Sequence, residues 1–269
     1  MKADFDIAAN NYDDIFTFSN IGKAQRNVVF KNMTPLLYLE KKLSILEINC
    51  GTGEDAIKLA KLGHEVHATD ISEGMIAVAK GKTKIKNIAF TVQDINTITE
   101  QTFTKKFDVI FSNFGGLNCL SKTQLEAFFN TADSLLNPNG KLILVLMPKQ
   151  CLWEQVYFLL KGDPKKAKRR NTNKSVDANV DGIAVKTWYY NPKDILSLTQ
   201  DLYKKEKIKP IGITIPPSYL ENSILAKKPL LSIFKIIDRM IIGEFWAKYA
   251  DHFYIELSKK PTKAKHNET

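Results

Sequence analysis

Cysteine is scarce in this sequence, and its spacing excludes more than its number. Cys50, Cys119 and Cys151 are the only three. None is close enough to another to form a CxxC pair, so neither a zinc framework nor a disulfide framework has support, and a reducing compartment is expected. The four histidines, His64, His67, His252 and His266, do not form HExxH or any comparable ligand spacing. No metal site is expected. Long apolar runs are missing as well. No stretch of about 18 uncharged apolar residues exists, which argues against a spanning helix. Residues 1–14 carry Asp4, Asp6, Asp13 and Asp14 and no apolar core, which argues against a secretory leader. A cytoplasmic location is the expectation.

Arginine is the other shortage. Of 39 basic residues only Arg26, Arg169, Arg170 and Arg239 are arginine, although the formal net charge is +10. Nucleic-acid sites favour the planar, stacking guanidinium. The lysine surplus therefore reads as a solvated surface, and a nucleic-acid partner is not expected. The one dense basic run, Lys165, Lys166, Lys168, Arg169, Arg170 and Lys174, lacks interleaved aromatics and reads as a mobile, solvated loop.

What is present is alternation. Between residues 44 and 147, short β-rich runs alternate with helical patterns, the mark of βαβ units and a parallel sheet. Strands are expected at Ser44–Asn49, Glu65–Thr69, Ile88–Val92, Phe107–Ser112 and Lys141–Leu146. Helices are expected after Gly53, after an N-capping Ser72, and over Lys122–Leu136. Beyond Pro148 the alternation loosens. Helical patterns fall at Cys151–Leu160 and Pro192–Leu202, and strand patterns at Ile183–Tyr190, Ile208–Ile215 and Phe253–Leu257.

Gly51-Thr52-Gly53-Glu54-Asp55-Ala56 matches GxGxxA, where small residues let the backbone approach a nucleotide at the start of a helix. Asp70 follows Gly51 at the spacing and strand end where a carboxylate meets a ribose diol. Alone, this leaves dinucleotide-dependent oxidoreductases open. Glu47, however, sits inside the first strand just before the loop. A carboxylate there repels a pyrophosphate but suits a cofactor carrying sulfonium and ammonium groups. Asp94 adds a third acid at a strand end, and Asn49 stands where a dinucleotide fingerprint has glycine.

Together these segments resemble the class I S-adenosylmethionine-dependent methyltransferases. Leu46 to Gly53 resembles their first motif, Ala68 to Ser72 with Met75-Ile76 their second, Gln93 to Ile95 their third and Phe107 to Asn113 their fourth. Leu135 to Gly140 resembles the turn before their fifth strand. The match covers about residues 40–147. The family usually has a third glycine at position 49. Asn is the residue that best tolerates φ > 0 in its place.

The resemblance implies an α/β fold, Rossmann-like and doubly wound, with a mostly parallel seven-stranded sheet and helical cap insertions. It implies a methyltransferase with S-adenosyl-L-methionine as cofactor. Glu47, Asn49, Gly51 and Gly53 would shape the pocket for the methionine moiety, and Asp70 would hold the ribose. Ile71 and Met75 would pack on the adenine, with Asp94 and Ile95 at its edge. Asn113 and Phe114 would line the wall near the sulfonium. Tyr12 and Arg26 would close over the cofactor, Arg26 towards its carboxylate.

The implied organisation is a helical cap over 1–40, a methyltransferase domain over 41–260 and a flexible tail over 261–269. Insertions at 148–190 and 216–252 would form a substrate lid. The second insertion carries a strongly apolar helix, read as a buried cap, as the wall of an acceptor pocket through Phe234, Ile237, Met240, Ile241 and Trp246, or as a surface for peripheral membrane contact. His252 and Tyr249 are the candidate catalytic residues, and the expected acceptor is a small apolar or aromatic molecule. An NAD(P)-dependent oxidoreductase and an RNA methyltransferase are the alternatives.

Overall fold

A computed structural model describes residues 6, 9–180 and 182–261. The chain forms a seven-stranded sheet and a separate two-stranded hairpin. An opening π-helical turn (Asp13–Thr17) leads into α1 (Asn20–Leu37), capped by Ser19. The alternating core follows: β1 (Ser44–Ile48), α2 (Glu54–Lys61), β2 (Glu65–Asp70), α3 (Glu73–Lys82), β3 (Ile88–Val92), β4 (Phe107–Ser112), α4 (Lys122–Leu135) and β5 (Leu136–Leu146). Ser72 caps α3 through the Met75 amide, as the sequence implies. The remaining elements are α5 (Leu152–Leu160), α6 (Pro164–Ala167), the hairpin β6 (Val176–Val180) and β7 (Ile183–Thr187), α7 (Pro192–Thr199), β8 (Tyr203–Ile211), α8 (Leu230–Met240) and β9 (His252–Lys259).

The strand order is β3-β2-β1-β4-β5-β9-β8. The first five strands pair in parallel, and β9 runs antiparallel to both β5 and β8. Reversal of strand order between β1 and β4 opens a crevice at the carboxyl ends of the strands, where ligands bind in such sheets. Strands at the centre are buried on both faces and read as continuous apolar runs, as in Leu142 to Leu146.

Three differences from the sequence reading have physical causes. β8 begins at Tyr203 rather than Ile208 and stops at Gly212, whose φ of +75° turns the chain away. Its first half, Lys-Lys-Glu-Lys after Tyr203, is an edge-strand pattern in which charge discourages further pairing. β5 begins at Leu136, which pairs with Phe107 ahead of a register irregularity. β9 runs from His252 to Lys259, paired there with Tyr203, rather than over Phe253–Leu257; of the tail expected over 261–269, residues 262–269 lie outside the described residues.

The basic run is not a solvated loop throughout. Arg170 is 5% exposed and sits between Glu154 and Asp251, themselves 1% and 3% exposed. Arg169 pairs with Glu154 from the other side. Arg170 thereby fastens the 148–190 insertion to Asp251, at the start of β9. Among the described residues no helix is long and apolar enough to cross a membrane, and no His, Cys, Asp and Glu side chains gather into a metal-binding group.

Candidate active site

The crevice holds a cavity of about 460 Å³. Its floor comes from the loops after β1, β2, β3 and β4. After β1 the backbone turns through left-handed positions at Asn49 (φ 56°), Gly51 (φ 53°) and Gly53 (φ 75°). Asn49 therefore adopts the conformation a glycine would supply. Its side chain is accommodated because Gly116, in the loop after β4, leaves room: a Cβ there would lie 2.5 Å from that of Asn49.

Tyr12, Arg26, Asn49, Gly51, Asp70, Ile71, Met75, Asp94, Ile95, Asn113 and Phe114 all line this cavity. Glu47 instead lines a smaller cavity of about 40 Å³ that shares Tyr12, Arg26, Asn49, Gly51, Asn113 and Phe114 with it. Gly53 lines neither. A Cβ on Gly53 would lie 2.6 Å from the Phe90 ring and 2.9 Å from Ala79, so its role is close packing of the turn against α3 and β3.

The carboxylates are held in distinct ways. Asp70 accepts from the Gly51 amide (2.9 Å) through Oδ2 and from the Ser72 amide (2.9 Å) through Oδ1. Burial raises its pKa despite these bonds. Asp94 accepts from the Asn96 amide at 2.8 Å and orders the turn after β3. Glu47 is 2% exposed, and its Oε2 has no hydrogen-bond partner among the described residues. Burial first, then the neighbouring Asp55 carboxylate, push the Glu47 carboxyl well above the usual range.

Asp55 is a residue the sequence reading passed over, because an acid in the first turn of a helix reads as a complement to the helix dipole. It is the hub of the small cavity. Arg26 Nε lies 2.7 Å from its Oδ1, and Asn113 Nδ2 donates to its Oδ2 at 2.8 Å. Arg26 also donates to the Thr17 carbonyl, so its guanidinium is committed to the protein while still facing the cavity. Burial disfavours the Arg26 charge, but Asp55 and Tyr12 more than offset this and raise its pKa. Burial pushes the Tyr12 phenol up to about 12.

Phe114 joins the two halves of the cavity. Its φ of 46° is unusual for a bulky residue and marks local strain at the site. The ring lies 5.3 Å from the Arg26 guanidinium and meets His252 edge-on at 5.4 Å. Beyond it the walls are Leu120, Met147, Val185, Tyr189, Tyr219 and His252. His252 Nδ1 lies 3.2 Å from Asp251 Oδ2. Asp251 also receives the Gln25 amide (3.1 Å) on Oδ2 and Arg170 Nη2 (3.0 Å) on Oδ1. Burial opposes its charge, yet His252, Arg170 and Gln25 hold its carboxyl well below the usual range.

The apolar helix is placed differently from the lid reading. Phe234, Ile237, Met240, Ile241 and Trp246 do not line the cavity. Asp238 ties α8 to the loop after β8 by accepting from the Gly212 (3.1 Å) and Thr214 (2.6 Å) amides. Lys209 Nζ then donates to the Ile242 carbonyl and Lys205 pairs with Glu244, which lays the chain along the outer edge of β8. Tyr249 follows that path and packs on Phe245 and Trp246, outside the cavity. The acceptor-side walls come instead from the first insertion and the turn at Pro217 to Tyr219.

A doubly wound sheet with acids inside β1, at the end of β2 and just after β3 is the arrangement that the methyltransferase resemblance implies. Residues 39–211 match the family model described as a methyltransferase domain, and the chain belongs to that family. A malonyl-[acyl-carrier protein] O-methyltransferase of Bacillus anthracis is 34% identical over 129 residues, 46% of this chain and 45% of that protein. The chain thus spans about half the length of such curated relatives. In fold it is similar to DhpI in complex with SAH, at 16% identity and a TM-score of 0.58, covering 96% of this chain and 94% of that one. It is similar also to the magnesium protoporphyrin IX methyltransferase of Synechocystis PCC 6803, at 16% identity and a TM-score of 0.57, covering 90% and 86%. The cofactor is S-adenosylmethionine, and the residues present fit it. Among the described residues Glu47 Oε2 and Asn49 Nδ2 have no hydrogen-bond partner, and they offer an acceptor and a donor for a charged amino-acid moiety.

Proposed function

We propose that this methyltransferase acts on a small acceptor with an apolar or aromatic body, and methylates it on an oxygen. The observation that carries this reading is the placement of His252. It borders the cavity beside Phe114, with Nδ1 against a fully engaged, buried Asp251. When bound, S-adenosylmethionine supplies an electrophilic methyl group on a sulfonium. The protein's part is to hold the cofactor through Glu47, Asp70 and Asp94, and to align the acceptor against it. Tyr189, Tyr219, Leu120 and Met147 offer an apolar and aromatic bed that also excludes water. With Nδ1 turned towards Asp251, the Nε2 side of His252 would take the proton that a hydroxyl acceptor loses.

A carboxylate acceptor is a second reading. Arg169 and Arg170 reach the cavity, and the Bacillus anthracis relative bears the name of a malonyl-carrier O-methyltransferase. Such an acceptor is already a nucleophile and needs no base.

A screen of phenols, alcohols and carboxylic acids with methyl-labelled cofactor tests both readings, followed by His252→Ala on any acceptor found. For a hydroxyl acceptor we expect kcat to fall by about 10²- to 10⁴-fold in the variant. A rate that survives the variant selects the carboxylate reading. Transfer of label to none of these three classes of acceptor contradicts both.

A further inference from the structure

We propose that α8 and the turn after it dock on the surface of an anionic lipid bilayer. Four apolar residues of α8 share its outer face at i, i+3, i+4 and i+7: Ile233, Ile236, Ile237 and Met240. Ile236 is 58% and Met240 77% exposed. The inward face carries Leu231, which is buried, and Phe234, which meets Trp153 edge-on at 5.7 Å. The outer stripe continues into Ile242 (64% exposed) and Phe245 (60% exposed). Soluble monomers rarely leave so continuous an apolar surface bare. An amphipathic helix with this pattern and flanking cations lies in a membrane interface, apolar face inward.

Charge selects the occupant. Lys227, Lys228, Lys235 and Arg239 surround the stripe, and none forms an ion pair among the described residues. The two acids of the same stretch are already engaged, Asp238 by backbone amides and Glu244 by Lys205. Lys248 lies 4.6 Å from the Phe245 ring, an aromatic and a cation side by side as at a headgroup boundary. A second copy of the chain would bring like charges together around the stripe. A surface of anionic headgroups complements them.

The test is co-sedimentation of the full chain with vesicles of phosphatidylcholine alone and of equimolar phosphatidylcholine and phosphatidylglycerol, at low and high salt. The wild type should bind the anionic vesicles, release at high salt and ignore the neutral ones. Ile236→Asp with Met240→Asp, and separately Lys227→Glu with Lys228→Glu, should each weaken binding about tenfold or more while cofactor affinity stays at the wild-type value. If the aspartate variant fails to fold, the charge-reversal variant carries the test. Failure to bind anionic vesicles at low salt overturns the proposal, as does wild-type binding by the variants. Light scattering that shows a dimer, made monomeric by Ile236→Asp with Met240→Asp, assigns the stripe to a second copy and overturns it as well.

Discussion

Burial and the Asp55 carboxylate push the Glu47 pKa well above its value in the unfolded chain. The sign of the consequence follows from linkage. Stability is full below the ordinary carboxyl range, and is lost as pH rises towards the raised value, because folding then has to confine a charge or hold a proton. Glu47→Gln should flatten the pH dependence of thermal stability in the cofactor-free protein and raise its melting temperature at neutral pH. The same change should weaken S-adenosylmethionine binding by roughly tenfold to a hundredfold, since it removes a charged partner of the ammonium group. Parallel pH profiles for variant and wild type would contradict the electrostatic account. Gly51 and Gly53, alike in sequence, separate in the same kind of experiment. Gly53→Ala drives a methyl group into Phe90 and Ala79, so it should cost stability in a denaturant melt. Gly51→Ala meets no such clash, the nearest neighbour of the added Cβ being Tyr12 at 3.8 Å. Apart from the strain of φ 53°, its cost should fall on cofactor affinity, read by calorimetry.

At the scale of elements, the first insertion is held by a buried cluster rather than by a sheet. Glu154 on α5 faces Arg169 and Arg170, and Arg170 reaches on to Asp251 at the start of β9. Glu154→Ala removes one of the two acids that pair with the buried Arg170, together with the partner of Arg169, and should cost about 3–5 kcal/mol in chemical denaturation. A loss under 1 kcal/mol would mean that the cluster is solvated. The strands of the sheet were legible because apolar runs bounded by Gly, Asn and Asp have few other solutions, and Ile88–Val92 and Phe107–Ser112 fall where the pattern puts them. The arginine cluster was not legible. Its partners lie 15 or more residues away in sequence, so Arg169 and Arg170 looked like members of a solvated run. The apolar helix misled for a different reason. Hydrophobicity implies burial of a face but does not say against what, and the sequence does not show that Asp238, Lys205 and Lys209 would tie this segment to the edge of β8. Ile237→Ser with Ile241→Ser, positions that a lid would place on the acceptor, should therefore leave the acceptor's KM unchanged. A clear rise in KM would return those residues to the pocket wall.

Across the whole molecule, strand direction gathers the site. α1 and the turn before it, the first insertion and the Pro217–Tyr219 turn all meet over the carboxyl ends of the parallel strands, and β9 delivers Asp251 and His252 there because it runs the other way. Elements distant in sequence are thus coupled through one cavity, so a ligand bound in it should stabilise the entire chain. At a cofactor concentration near 100 times Kd, the gain should be about 2.7 kcal/mol, read as a rise in melting temperature. The most direct measurement is a calorimetric titration of the purified chain with S-adenosylmethionine and, in parallel, with NAD, repeated on Asp70→Asn. The account predicts saturable binding of one S-adenosylmethionine per chain, no NAD binding, and an affinity at least about tenfold weaker in the variant, where an amide replaces one of the ribose-facing oxygens. Binding of NAD without S-adenosylmethionine, or wild-type affinity in Asp70→Asn, would contradict it.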